Sequence, residues 1–288
     1  MPLREIDWYI FHDERELPDE FLGFSHVFFK RISLADLAGE ISVVLGFDVL
    51  LQDPYKLCDL KPIWGYVFRD LLENYDFWGY SDVDVVYGDL WTGVNDFLKN
   101  GRDVLSVYSD FMSGPFALFR NRQDVNRLFM EIHDYRRILQ DPRHYGMDEN
   151  ILREIKAGVF RKLAALLRAM KKDSFSSLTP EQVRFRYHWE LKRMTMDSSR
   201  PSEMTEVLWK AEREGRVHAE FRPLMFSCRD MQRRARRHWH LTWEKGHLRD
   251  ERGNEVAAFH LIDLKKSLNP IQILPERFRI GPAGVELL

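Results

Sequence analysis

Residues Tyr75 to Asp89, YDFWGYSDVDVVYGD, decide the reading of this chain. The aromatic and apolar run Tyr75–Tyr80 predicts a buried strand, because continuous aromatic and β-branched residues suit a sheet covered on both faces. The strand ends in Asp82 and Asp84, two carboxylates one residue apart. That places both at the carboxyl edge, where open α/β sheets bind their ligands. Two hard oxygen ligands can hold Mg²⁺ or Mn²⁺, and such an ion can grip a diphosphate. The structural alternative is a strand-end turn capped by aspartates, and in a chain with 45 acidic residues a lone D-x-D is a weak signal.

Working outward, strand-like and helix-like segments alternate. Ile6–His12 and His26–Lys30 predict short strands, and Leu34–Leu45 has apolar residues at helical spacing. Pro62 stands in the first turn of a helix expected to run to about Asn74, where a missing N–H costs nothing. After the D-x-D strand come a helix at Leu90–Lys99, strands at Asp103–Tyr108 and Gly114–Arg120, and a helix after Asn121. This alternation predicts an α/β fold with a mostly parallel sheet flanked by helices.

The character changes near Asn150. Leu152, Ile155, Val159, Leu163, Leu166 and Met170 form one face of an amphipathic basic helix over 151–172. Its plain reading is an apolar stripe on the core, and its functional reading is peripheral contact with an anionic membrane surface. Helices near Pro180–Met194 and Pro201–Gly215 follow. Trp239–Leu248 and Glu255–Leu261 predict a C-terminal β-hairpin turned by Arg249–Gly253, and Ile273–Leu288 an irregular tail. The expected organisation is an α/β core over 1–149, a helical, basic insertion or acceptor region over 150–238, and a hairpin and tail over 239–288 completing the core.

Composition narrows the function classes. The chain has 288 residues, 44% of them hydrophobic, which supports a substantial core and argues against disorder. Cys58 and Cys228 lack metal or disulfide spacing, fitting a reducing compartment. With no apolar run long enough to span a bilayer, the expectation is a cytoplasmic protein, at most peripheral at the inner face of the membrane. Residues 1–150 carry 15 Lys+Arg against 27 Asp+Glu, and residues 151–288 carry 28 against 18. The basic half could meet an anionic partner or simply complement the acidic half. No nucleic-acid module accompanies the arginines of the Arg233–His238 cluster, so nucleic acid is not an expected partner.

Three stretches together carry a resemblance: Pro54–Pro62 (PYKLCDLKP), Tyr75–Asp84 (YDFWGYSDVD) and Ser113–Asn121 (SGPFALFRN). They resemble a family of bacterial glycosyltransferases of the surface-polysaccharide type, with the GT-A fold, and more distantly retaining galactosyltransferases that use UDP-sugars. The resemblance covers about Ile6 to Glu149 and returns near Trp239–Lys266. It implies a nucleotide-sugar donor, a divalent metal, and a glycan or lipid-linked acceptor. Asp82 and Asp84 match the metal-binding pair, and His260 a third metal ligand. Lys265 matches a lysine that contacts the diphosphate, with Lys266 its competitor. Ser113 and Gly114 match a small-residue turn beside the donor sugar, and Asp59 and Lys61 polar residues that touch the nucleotide-sugar. Asp148 and Glu149 match a pair lying under the sugar ring near the reacting carbon.

Each match has a structural counterpart. His260 could be a satisfied residue on an apolar strand, Lys265 a solvated charge, and Asp59 a cap for the helix begun at Pro62. Asp148 and Glu149 could be the acidic first turn of the basic helix. Relatives also begin with an additional strand and helix ahead of the segment matching Ile6. The sequence starts after that element, which is expected either from a misassigned start or from truncation, and truncation motivates an alternative: a non-catalytic GT-A-like binding or scaffold protein with an incomplete donor site.

Overall fold

The computed structural model describes residues 6–17, 19, 23–108, 111–148, 203–228, 230–231, 239–262, 264 and 276–288. Glu149, Lys265, Lys266, the expected helices over 151–172 and 180–194 and the Arg233–His238 cluster lie outside these residues. The described chain is a mixed α/β structure. It begins with β1 (Trp8–His12) and β2 (Val27–Arg31), a parallel pair, followed by α1 (Leu34–Leu45).

Local chemistry sets the limits of α1. Ser33 caps it by accepting from the Asp36 N–H at 3.1 Å, and Gly46 ends it in the left-handed region at φ 75°. Leu37 and Ile41, four apart, enter the core. The helix expected from Pro62 to Asn74 is instead a chain of short pieces lying earlier. A 3₁₀ turn at Pro54–Lys56 leads into α2 (Leu57–Leu60), a second 3₁₀ turn at Lys61–Ile63 and α3 (Trp64–Val67). Pro62 sits inside that second turn. A proline within a helical run removes an N–H donor, consistent with the run being broken into single turns.

The central sheet has the order β3 (Phe77–Ser81), β6 (Phe116–Arg120), β5 (Val104–Ser106), β7 (Ala219–Phe221). Alternate residues serve two faces. Trp78, Tyr80, Ala117, Phe119 and Val104 enter one large core with Leu60 and Ile63, while Phe77, Leu118, Phe116 and Leu105 face a second with Val94 and Phe97. The second core is closed by α4 (Leu90–Lys99), whose start is capped by Asp89 accepting from the Thr92 N–H at 3.0 Å.

A three-stranded sheet has the order β4 (Val85–Tyr87), β11 (Ala258–His260), β8 (Met225–Ser227). The last sheet has the order β10 (His247–Asp250), β9 (Leu241–Glu244), β12 (Arg277–Gly281), β13 (Gly284–Leu287). The remaining helices are α5 (Gln123–Asn126), α6 (Tyr135–Gln140) and α7 (Met204–Arg213). Among the described residues no helix is long and apolar enough to cross a membrane.

Several expectations are corrected. The sheets are mixed rather than mostly parallel, since β3 and β5 both run antiparallel to β6. Only β1–β2, β5–β7 and β8–β11 are parallel among the described pairs. Strand–helix alternation implies parallel pairing only when each helix returns the chain to the same sheet, and here β4 and α4 leave the central sheet before β5 rejoins it. Residues 203–228, in the region expected to be helical, also carry two strands. Strand β7 pairs with β5 and β8 with β11, so this stretch belongs to the core.

The hairpin partners also differ from the expectation. The tight turn is Lys245–Gly246, with φ 50° and 86°, joining β9 to β10. Two positive φ values suit the right-handed twist of the flanking strands. The expected turn at Arg249–Gly253 also forms, with an antiparallel bridge between Arg249 and Glu255 and the Val256 N–H on the Leu248 carbonyl at 2.7 Å, after which the chain crosses to β11. The expected irregular tail forms β12 and β13, joined at Pro282–Ala283.

Candidate metal and donor site

Asp82 and Asp84 follow β3 and precede β4, so they occupy the point where the chain leaves the central sheet for the three-stranded one. The Asp82 N–H bonds the Pro115 carbonyl at 2.9 Å, tying this turn to the approach of β6. Strand β11 then lies against β4 with His260 opposite Val85, and the Leu261 N–H bonds the Asp84 carbonyl at 2.8 Å. That register brings the imidazole from late in the chain to the two carboxylates. His260 Nε2 is 3.1 Å from Asp84 Oδ2 and 3.8 Å from Asp82 Oδ2.

Ligand atoms from all three residues lie within 4.8 Å of one another. His260 is 5% exposed, and its Nε2 has no well-aligned hydrogen bond among the described residues, despite standing at ion-pair distance. A buried nitrogen in that state, facing two carboxylates, fits a divalent ion that accepts mixed oxygen and nitrogen donors.

Lys61 reaches into the same space. Its ammonium donates to Asp82 Oδ1 at 2.6 Å and to the Gly114 carbonyl at 2.8 Å, and stands 3.4 Å from Asp148 Oδ2. Burial alone would lower the Lys61 pKa, but the charges of Asp148 and Asp82 outweigh it and hold the group above its ordinary range. The Tyr80 hydroxyl donates to the Ser113 carbonyl at 2.8 Å, and the Tyr80 ring faces the Lys61 ammonium. Ser113 is fully buried, and its hydroxyl has no partner among the described residues. Thus Lys61, Asp82, Asp84, Ser113, Gly114, Asp148 and His260 form one connected cluster.

Asp59 belongs to a neighbouring arrangement. Its carboxylate is buried and accepts from Lys56 Nζ at 2.8 Å, the Tyr145 N–H at 2.9 Å and the Met147 N–H at 2.8 Å. These chain groups, rather than the N-terminus of a helix begun at Pro62, take up the Asp59 carboxylate. It fixes the segment that presents Asp148. Asp59, His144 and Asp148 also bring ligand atoms within 4.8 Å of one another. The three donors on Asp59 already occupy that carboxylate, so this second group reads as a clamp.

Sequence reasoning missed Lys56, Tyr80 and His144. Lys56 lies three residues before Asp59 within the PYKLCDLKP stretch, a spacing that could have marked the pair. Tyr80 lay inside the strand pattern as a core residue, and His144 carries no sequence signal. Cys58, beside this cluster, has its thiol pushed up to about 11, chiefly by burial; Lys61 works against the shift while Asp148, Asp82 and Asp59 add to it.

A family model described as a family of unknown function (DUF6625) matches residues 3–286. No curated protein and no solved structure matches the chain.

Proposed function

The chain belongs to DUF6625, a family of unknown function, and for it we propose a metal-dependent glycosyltransferase built on a GT-A-like fold. It moves a sugar from a nucleotide-sugar, a UDP-hexose in the reading developed above, to a glycan or lipid-linked acceptor. The supporting observation is the arrival of His260 beside Asp82 and Asp84, carried by the pairing of β11 with β4. The same observation favours this reading over a strand-end turn capped by aspartates, because a cap requires no buried imidazole.

Asp82, Asp84 and His260 are the residues that would hold Mn²⁺ or Mg²⁺. Such an ion would bind the donor's diphosphate and offset the charge that grows as the glycosidic bond breaks. Lys61 and the backbone at Ser113–Gly114 line the adjoining space and orient the donor. Asp148 approaches from the far side of Lys61, on the segment that Asp59 anchors, and holds sugar hydroxyls near the reacting carbon. Glu149 and Lys265, which adjoin Asp148 and Leu264 in sequence, keep the roles of group nearest the anomeric carbon and diphosphate contact within this proposal. The acceptor oxygen forms the new bond to the anomeric carbon as the nucleoside diphosphate departs with the electrons of the broken bond, and the acceptor's proton passes to that departing diphosphate.

Calorimetric titration with UDP, with and without Mn²⁺, tests the proposal. The wild-type protein should bind UDP in a Mn²⁺-dependent way, and Asp84→Ala should abolish that dependence while circular dichroism stays unchanged. Wild-type protein that shows no metal-dependent binding would replace this reading with the non-catalytic GT-A-like scaffold.

A further inference from the structure

We propose that Lys61 is an internal counter-cation that competes with the metal for Asp82 and passes to Asp148 when the metal arrives, so that metal occupancy and the placement of Asp148 are coupled. The inference rests on the metal reading of Asp82, Asp84 and His260 and adds a regulatory role for a residue outside that ligand set.

The geometry carries it. One buried ammonium stands 2.6 Å from Asp82 and 3.4 Å from Asp148, so it is shared between a candidate metal ligand and a carboxylate outside the ligand set. Its third contact, the Gly114 carbonyl at 2.8 Å, is a fixed backbone pivot between them. Asp82, Asp84 and Asp148 together with Lys61 leave a formal surplus of two negative charges when the imidazole is neutral. That surplus equals the charge of one divalent ion.

Asp82 cannot give its full charge to both cations, because like charges at such short range repel strongly where water is scarce. An ion gripped by Asp82 therefore weakens the ammonium's hold there. The nearest alternative is Asp148, reached by a small rotation about the Gly114 contact. Lys61 would then be a positioning residue that draws Asp148 into one orientation only when the metal is present.

The test is a double-mutant cycle read by Mn²⁺ affinity alone, using calorimetry or the paramagnetic signal of the free ion. Lys61→Met removes the competitor and should tighten Mn²⁺ binding by about tenfold or more. Asp148→Asn leaves the ammonium with Asp82 as its only carboxylate and should weaken Mn²⁺ binding. In the Lys61→Met background the same Asp148→Asn change should have a clearly smaller effect, since no ammonium remains to be redirected. Equal effects of Asp148→Asn in both backgrounds, or no tightening in Lys61→Met, would overturn the inference.

If Lys61→Met fails to fold, Asp148→Asn alone still decides: unchanged Mn²⁺ affinity defeats the coupling. Wild-type protein that binds no Mn²⁺ would instead defeat the metal reading itself, so the two failures are distinguishable.

Discussion

Lys56 and Asp59 are both fully buried, and their side chains meet at 2.8 Å. The ammonium also donates to the carbonyls of Ile138 and Arg143, while the carboxylate takes the N–H groups of Tyr145 and Met147. Every strong donor and acceptor of the pair is thereby engaged, which is the condition under which a buried pair is tolerated. Removing one charge leaves the other buried without compensation. Asp59→Asn should therefore cost about 3–5 kcal/mol of stability, measured as a fall in the urea midpoint at unchanged slope. A loss below about 1 kcal/mol would mean that the amide replaces the carboxylate fully, against the general behaviour of broken buried pairs. At this scale Asp82 and Asp84 of the candidate site were legible from local motif, whereas Lys61, Ser113, Gly114, Asp148 and His260 were named only through the resemblance, and the structure brings all seven together. The role of Asp59 was not legible, because its partners lie in a segment far along the chain and nothing local indicates which backbone N–H groups it will meet.

At the scale of elements, two glycines on helices separate free space from close approach. Gly65 in α3 faces the indole of Trp78, and an added Cβ would overlap that ring. Trp78 has little room to retreat, since it stacks on Phe119 with centroids 4.4 Å apart and donates from Nε1 to Asn126 at 2.7 Å. Gly65→Ala should destabilise by about 1–3 kcal/mol despite alanine's better helix propensity. Gly39 in α1 has nothing within 4 Å of such a Cβ, so Gly39→Ala should stabilise by about 0.5–1 kcal/mol. Thermal unfolding of both variants checks the pair, and shifts of the same sign would show that packing against Trp78 is not what keeps Gly65. The contrast also marks what a sequence reveals of its elements. Helices α1 and α4 were legible over their bounds, α1 from apolar residues at helical spacing, and in the structure Ser33, Gly46 and Asp89 fix their ends. Strands β7 and β8 were not, because three residues are too few to display a period of two. Their partners in β5 and β11 are supplied only by the tertiary structure. The turn at Lys245–Gly246 was hidden by the more polar Arg249–Gly253, which makes a turn of its own a few residues later.

Across the whole molecule, the acidic and basic halves of the sequence meet directly: Arg216 pairs with Glu131 at 2.7 Å, and Lys210 approaches the same carboxylate at 3.6 Å. This favours mutual complementation of the halves where the residues are described. The cores divide the labour differently. The large core under the central sheet holds Ile41, Leu60 and Phe119, whereas a separate cluster holds Trp239, Leu241, Phe259, Leu261, Phe278 and Ile280. Phe259 and Leu261 flank His260, so this cluster, distinct from the core under α4, is the support behind the imidazole. Phe278, from β12, stacks on Trp243 with centroids 5.2 Å apart and is 2% exposed. Phe278→Ala should cost about 3–5 kcal/mol through the cavity it leaves. It should also weaken Mn²⁺ binding, because the backing of β11 loosens and His260 loses its fixed direction. Ile41→Ala lies in the other core and should cost a comparable 2–5 kcal/mol or so. Its effect on Mn²⁺ affinity should be negligible while the protein remains folded, since Ile41 supports neither β4 nor β11. Unfolding curves establish the stability losses, and Mn²⁺ titrations at a temperature where both variants are folded separate the two cores. Equal weakening of Mn²⁺ binding by both substitutions would mean that the site responds to global stability. Weakening by Phe278→Ala alone would place the mechanical support of the candidate metal site in the C-terminal sheet.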